Sequence, residues 1–234
     1  MLVSSGVLVV ASSTGCSDPV AHDTSGGAPS GTGGSGQGGS WGGAGGAGGA
    51  GGGDSDGCST SNGACKLTSC TVPIAGAQHT APCTVLEYAS NPPTSGTHYE
   101  VWAAYEIYDQ PVPRGFLVHA LEHSAVVLSY NCSLAEQAGL DCGSLIAELA
   151  RFSDEWPADP LCSATRHRLV VTPDPLLDAP FAAAAWGYYL KGDCFDAEQV
   201  ASFVEEHYGD TYENICNPGV DPGGYPRDCG QETE

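Results

Sequence analysis

NPPTSGTHYEVWAAYEIYDQPVPRGFLVHALEHS, residues 91–124, decides the fold, because its last third can be written as strand or as helix. It also holds three of the chain's seven histidines. Pro92-Pro93-Thr94-Ser95-Gly96 reads as a turn, since two prolines fix φ and the glycine permits a positive one, and it delivers His98 and Tyr99 at its exit. His119-Ala120-Leu121-Glu122-His123 has the spacing of the inverted zinc-protease motif, His-x-x-Glu-His. In a helix, positions i, i+3 and i+4 would put both imidazoles on one face for a metal and the carboxylate beside them as a base for metal-bound water. The flanks argue for a strand instead. Gly115 stands four residues before His119, and the β-favouring run 125–130 follows at once, so 117–118 and 125–130 are both expected as strand. In an extended segment His119 and His123 share a face while Glu122 points to the opposite one. The metal reading then joins His119 and His123 with His98 from the turn and leaves Glu122 as an outer or structural group. The competing reading is that all three are buried histidines hydrogen-bonded to backbone. Ser95 lacks the glycine-flanked elbow and the orienting acid of a nucleophile and reads as a turn serine.

Outward from this stretch, residues 84–88, 169–172 and 183–190 are further β-favouring runs bounded by Pro, Gly or Asp. Two segments read as helices. Leu145, Leu149 and Phe152 recur at i, i+4 and i+7 over 143–152. Asp196 opens the second as N-cap with Gln199 as its capping-box partner, Val200, Phe203, Val204 and His207 form one stripe, and Gly209 stops it. His207 is expected in the core, as is Trp186. Arg166 and Arg168, either side of His167, are expected in salt bridges rather than on an anion. The fold class is therefore α+β, a small mixed sheet with two or three helices in a single disulfide-rich domain.

The eleven cysteines bound the compartment. Cys58, Cys65, Cys70, Cys83, Cys132, Cys142, Cys162, Cys194, Cys216 and Cys229 can pair as five disulfides, at spacings unlike a zinc ribbon, which implies an oxidising space. The remaining Cys16 closes an apolar run and Ser13-Thr14-Gly15, the form of a bacterial lipoprotein signal with a lipidated cysteine at the end of residues 1–16. Residues 17–57 follow as a tether: 17 of the 33 glycines lie between 26 and 53, a composition that cannot bury a core and reaches roughly 30 Å as a coil. His22 falls in this tether. Residues 58–234 form the folded domain. Of the formal net charge of −21, −17 lies in it, 24 acidic residues against seven basic ones, which excludes nucleic acid as a partner and leaves the membrane to be met through the lipid on Cys16.

PPTSG-x-HY-x-x-W, then VH-x-LEH, then AAAAWG and FDAEQVASFVEEHYG together resemble the bacterial family called domain of unknown function 3105, over about residues 78–208. The chain departs from the family pattern at Ala120, where the family has Asn, and at Ser124, where it has Gly. The resemblance implies an exported domain with a shared histidine site at His98, His119, Glu122 and His123, to which His79 adds a further matching histidine. It implies no reaction.

Three functions remain open at this point. One is a non-catalytic, membrane-tethered module at the bacterial cell envelope, holding copper or zinc through imidazoles. Another is a metal-dependent hydrolase with Glu122 as base, which requires a helical motif and a further carboxylate. The third is a disulfide-stapled structural lipoprotein without metal.

Overall fold

Val127 and Leu128 are neighbours on one strand and enter different cores, and the architecture follows from that alternation. The computed structural model describes residues 57–226, 229 and 230, all within one compact unit. The expected signal, tether and lipidated Cys16 lie outside the described residues, as does His22. A six-stranded mixed sheet contains β1 (Cys58–Thr60), β2 (Leu67–Thr71), β5 (Val126–Tyr130), β6 (Leu169–Pro173), β7 (Phe181–Ala185) and β8 (Tyr188–Gly192), in the order β1-β2-β8-β7-β5-β6. Only β5 and β6 run parallel. Their crossover carries helices α2 (Cys132–Gln137) and α3 (Cys142–Glu155), the connection a parallel pair requires. A separate two-stranded parallel pair joins β3 (His79–Thr80) to β4 (His98–Tyr99).

One sheet face buries Leu67, Val126, Leu128, Leu169, Val171 and Phe181 against α3 and α4 (Ala197–His207), which contribute Leu145, Leu149, Val200, Phe203 and Val204. The other face buries Val127, Val170 and Ala184 against α1 (Arg114–Glu122), which contributes Phe116, Leu117, Val118, Ala120 and Leu121. Each such fully buried aliphatic is worth about 1.5–3 kcal/mol over an exposed one. Both anticipated helices are present, each capped by an aspartate: Asp141 accepts from Ser144 N–H at 2.8 Å, and Asp196 from Gln199 N–H at 3.0 Å. The Gln199 side chain donates to the Asp196 carboxylate at 3.0 Å, so it reinforces the cap without closing the reciprocal box. Gly209 follows with φ +79°.

Four expectations are corrected. Residues 117–118 are not strand: the whole stretch from Arg114 to Glu122 is helix, with Pro113 in extended conformation before it. Residues 84–88 form no strand, and Val85 is exposed there. The run 183–190 is two strands, turned at Trp186-Gly187 where Gly187 has φ +80°. Among the described residues there are four α-helices, against the two or three expected.

All ten cysteines among the described residues pair, as Cys58–Cys70, Cys65–Cys194, Cys83–Cys229, Cys132–Cys142 and Cys162–Cys216. Cys65–Cys194 and Cys83–Cys229 close the longest loops, with sequence separations of 129 and 146, and fasten the region before β4 to the rest of the domain. Each bridge contributes about 2–4 kcal/mol in the chain-entropy picture. Five disulfides fit an oxidising compartment. Among the described residues no helix is long and apolar enough to cross a membrane.

Candidate metal centre

The site is built where the short β3/β4 pair meets α1. Gly96, at φ +118°, ends the Pro-Pro turn after a cis Asn91–Pro92 bond, and its N–H donates to Gly76 O at 3.0 Å. His98 N–H then donates to Gln78 O at 2.9 Å, which sets His79 directly opposite His98 on the same side of the ladder. Gly115 lets α1 lie on β4, since a Cβ there would meet the Tyr99 ring at 2.6 Å. The helix thereby brings His119 and Glu122 up to the two strand histidines.

Helix α1 ends in a Schellman turn. Ala125 N–H donates to Ala120 O at 3.1 Å and Ser124 N–H to Leu121 O at 2.9 Å, with Ser124 at φ +67°. Ser124 thus adopts the left-handed conformation for which glycine is usual, and its hydroxyl pairs with Thr211 Oγ1 at 2.6 Å. The hydrogen bond offsets the steric cost of about 1–2 kcal/mol. His123 is the C-cap, so both histidines of the motif fall on one helical face, and Glu122 turns toward the histidines rather than away.

His79, His98, His119 and Glu122 each offer one ligand atom within 4.8 Å of the others. A tetrahedral shell with bonds of ~2.0 Å needs donors about 3.3 Å apart, so closure asks for side-chain shifts of about an ångström. His98 Nε2 lies 2.9 Å from Glu122 Oε2, and His79 Nε2 lies 3.4 Å from the same oxygen. His98 Nδ1 is 2.8 Å from Gly96 O and His119 Nδ1 is 2.6 Å from Tyr99 O. A carbonyl only accepts, so both Nδ1 atoms carry the proton, and in the neutral rings both Nε2 lone pairs point into the cluster. Backbone carbonyls fix the rings of metal-ligating histidines in this way. Burial, opposed by the Tyr99 hydrogen bond, lowers the His119 pKa to about 4, so this ring is neutral at pH 7. Without a metal, the contact between His98 Nε2 and Glu122 Oε2 needs a shared proton; a cation can take that proton's place.

Glu122, 2 % exposed, is nonetheless held as a carboxylate. Burial raises its pKa, but the Tyr212 hydroxyl, which donates to Oε1, and the neighbouring His98 and His79 outweigh burial and hold it below its usual range. Trp102 and Trp186 wall the cluster, with ring centroids 5.1 Å from His119 and 6.0 Å from His98. His98, His119, Glu122 and His123 are all at or below 3 % exposure, whereas the His79 side chain is 49 % exposed. A metal ion held here would be approached past His79 and would meet four protein donors.

His123 lies outside this group of four and groups with Glu122 and Glu213 instead. Its Nε2 lies 3.2 Å from His119 Nε2 and 3.3 Å from Glu213 Oε2. His79, by contrast, lies within the group of four. Sequence reading missed Tyr212 and Glu213, which reach the site from 90 residues beyond the motif; no periodicity or motif marks the segment, and only its closeness behind the Gly209 stop suggests a return to the α1 terminus. Of the remaining candidates, Ser95 Oγ accepts from Ala75 N–H at 3.0 Å as a turn serine, and His207 stacks on Tyr188 in the core at 4.0 Å between ring centroids. His167 Nε2 donates to Ser153 O at 2.8 Å, and Arg168 pairs with Asp159 at 2.8 Å.

Comparison with curated proteins and with solved structures gave no match. The model of one family, described as "Protein of unknown function (DUF3105)", matches residues 79–219, an interval that begins at His79 and contains every side chain of the centre. The chain belongs to the DUF3105 family.

Proposed function

We propose that this DUF3105 chain is an exported, lipid-anchored module that binds one copper or zinc ion through His79, His98, His119 and Glu122. The observation that carries this reading is the convergence of three imidazoles and a carboxylate, two of the rings oriented by backbone carbonyls, with all but His79 buried. Three nitrogens and one oxygen suit either metal, and the pairing of all ten domain cysteines leaves imidazole as the softest donor in the cluster. The acidic chain, at −21, raises the local concentration of cations. Export and anchoring rest on the disulfides and on Cys16 at the end of its apolar run.

The helical motif favours a second reading, a metal-dependent hydrolase, because Glu122 lies beside the histidines as that chemistry requires. Against it, Glu122 is held by Tyr212, His98 and His79 and is not free to serve as a base. Metal analysis of protein purified without chelator tests the proposal: stoichiometric copper or zinc is expected in the wild type and is lost in His119→Ala. No metal in either protein would sink it. Peptide and ester hydrolysis by the metal-loaded protein would favour the hydrolase.

A further inference from the structure

His123 is the one histidine of the motif outside the group of four, and its surroundings ask for a cation. His119 commits its Nδ1 proton to Tyr99 O at 2.6 Å, so His119 Nε2 is a bare lone pair. His123 Nε2 faces that lone pair at 3.2 Å and the Glu213 carboxylate at 3.3 Å. One N–H on His123 must therefore serve two acceptors. Its other nitrogen, Nδ1, is buried with no hydrogen-bond partner, in a residue only 3 % exposed. Glu122, His123 and Glu213 each offer a ligand atom within 4.8 Å of the others. Glu122 also divides its oxygens: Oε2 faces His98 and His79, and Oε1 accepts from the hydroxyl of Tyr212, the residue next to Glu213.

We propose that His123, Glu213 and Glu122 hold a second transition-metal cation, bridged to the first through the Glu122 carboxylate, so that the domain carries a dinuclear centre. The inference rests on the first site proposed above. Carboxylate-bridged pairs sit about 3.5–4 Å apart, so His123 Nε2, which lies 3.2 Å from His119 Nε2, has to turn toward Glu213, 3.3 Å away, to reach a metal of its own. The two sites differ in kind. The first has four protein donors and is closed apart from His79, while the second has three, one of them Glu213 with a side chain 42 % exposed. Three donors leave coordination positions for water or an anionic oxygen ligand from solvent. The second metal is accordingly the weaker and the more exchangeable of the two.

The test is a calorimetric titration of the full chain with Zn²⁺, beside a Cu²⁺ titration followed by electron paramagnetic resonance. Wild type is expected to take a second equivalent with at least ~10-fold weaker affinity than the first. Glu213→Gln, at a half-exposed position where folding is undisturbed, is expected to lose that step and keep the first. With Cu²⁺, the second equivalent should reduce the integrated signal in wild type, because two coppers coupled through Glu122 cancel each other's spin, and should leave it undiminished in Glu213→Gln. A wild type that saturates at one equivalent, or a second equivalent that survives in Glu213→Gln, overturns the dinuclear centre and leaves the first site standing. Wild type that takes up neither metal removes both.

Discussion

Asp159→Ala would expose how much the site depends on a buried ion pair far from it in sequence. Arg168 is 1 % exposed, and its guanidinium donates to Asp159 Oδ2 from Nε at 3.1 Å and Nη2 at 2.8 Å. The same carboxylate oxygen accepts from Tyr208 O–H at 2.8 Å, and the Tyr208 ring lies under the guanidinium at 4.8 Å. Nη1 ties together the pieces that frame the centre: His123 O at 2.9 Å, Asn214 Oδ1 at 2.6 Å and Ile215 O at 3.3 Å. Removing Asp159 leaves a cation in the interior without its partner, which costs about 3–5 kcal/mol. For a domain of this size that is a fall in Tm of roughly 6–20 °C. Metal affinity should fall as well, since the α1 C-cap and the Tyr212–Glu213 segment are both held through Arg168. The sign with pH follows from Asp159. Burial raises its pKa, but the hydrogen bonds from Leu161 N–H, Tyr208 and Arg168 outweigh burial and hold it below the usual value. The stability it supplies is therefore fully present above about pH 4 and is lost as pH falls through the lower folded value. Urea unfolding without reductant, with two probes to check two-state behaviour, measures the gap. The double variant Asp159→Leu, Arg168→Met should recover much of the loss, because no charge is then left alone. A single-variant loss under about 1 kcal/mol, or a double variant as unstable as the single, would refute the reasoning.

Tyr212→Phe removes the hydroxyl on Glu122 Oε1 while leaving a ring that is 67 % exposed; metal affinity should fall about 10-fold or more, and unfolding free energy by about 1–3 kcal/mol, because the buried Oε1 loses its donor. Gly115→Ala drives a methyl into the Tyr99 ring and should cost about 1–3 kcal/mol in denaturant while weakening metal binding, because α1 is pushed off β4; unchanged affinity would show that the helix does not need that seat. Cys16→Ser should move the protein from the membrane fraction to the soluble one, and a variant that stays on membranes would rule out the lipid anchor.

The elements legible in the sequence are those whose burial is one-sided. Leu145, Leu149 and Phe152 on α3, and the Val200–Phe203–Val204 stripe behind Asp196 on α4, mark their faces because the opposite faces meet water. Helix α1 carries no such mark. Eight of its nine residues, from Gly115 to Glu122, are buried, so the apolar run has no helical period, and no side chain caps its start. The His-x-x-Glu-His spacing was the better guide there than the β-favouring composition around it. Strands β3 and β4 are two residues each, too short for alternation to register. The members of the cluster are largely legible: His98, His119, Glu122 and His123 lie in one stretch, and His79 comes from the family pattern. That His79 groups with His98, His119 and Glu122 while His123 groups with Glu122 and Glu213 follows from the motif standing at the end of a helix rather than on a strand.

X-ray absorption at the metal edge of protein carrying one equivalent is the most direct test. The account predicts about four nitrogen and oxygen donors at roughly 2.0–2.1 Å, with outer-shell scattering from three imidazoles that drops to two in His79→Ala. A sulfur donor near 2.3 Å, or imidazole scattering unchanged in His79→Ala, would contradict it.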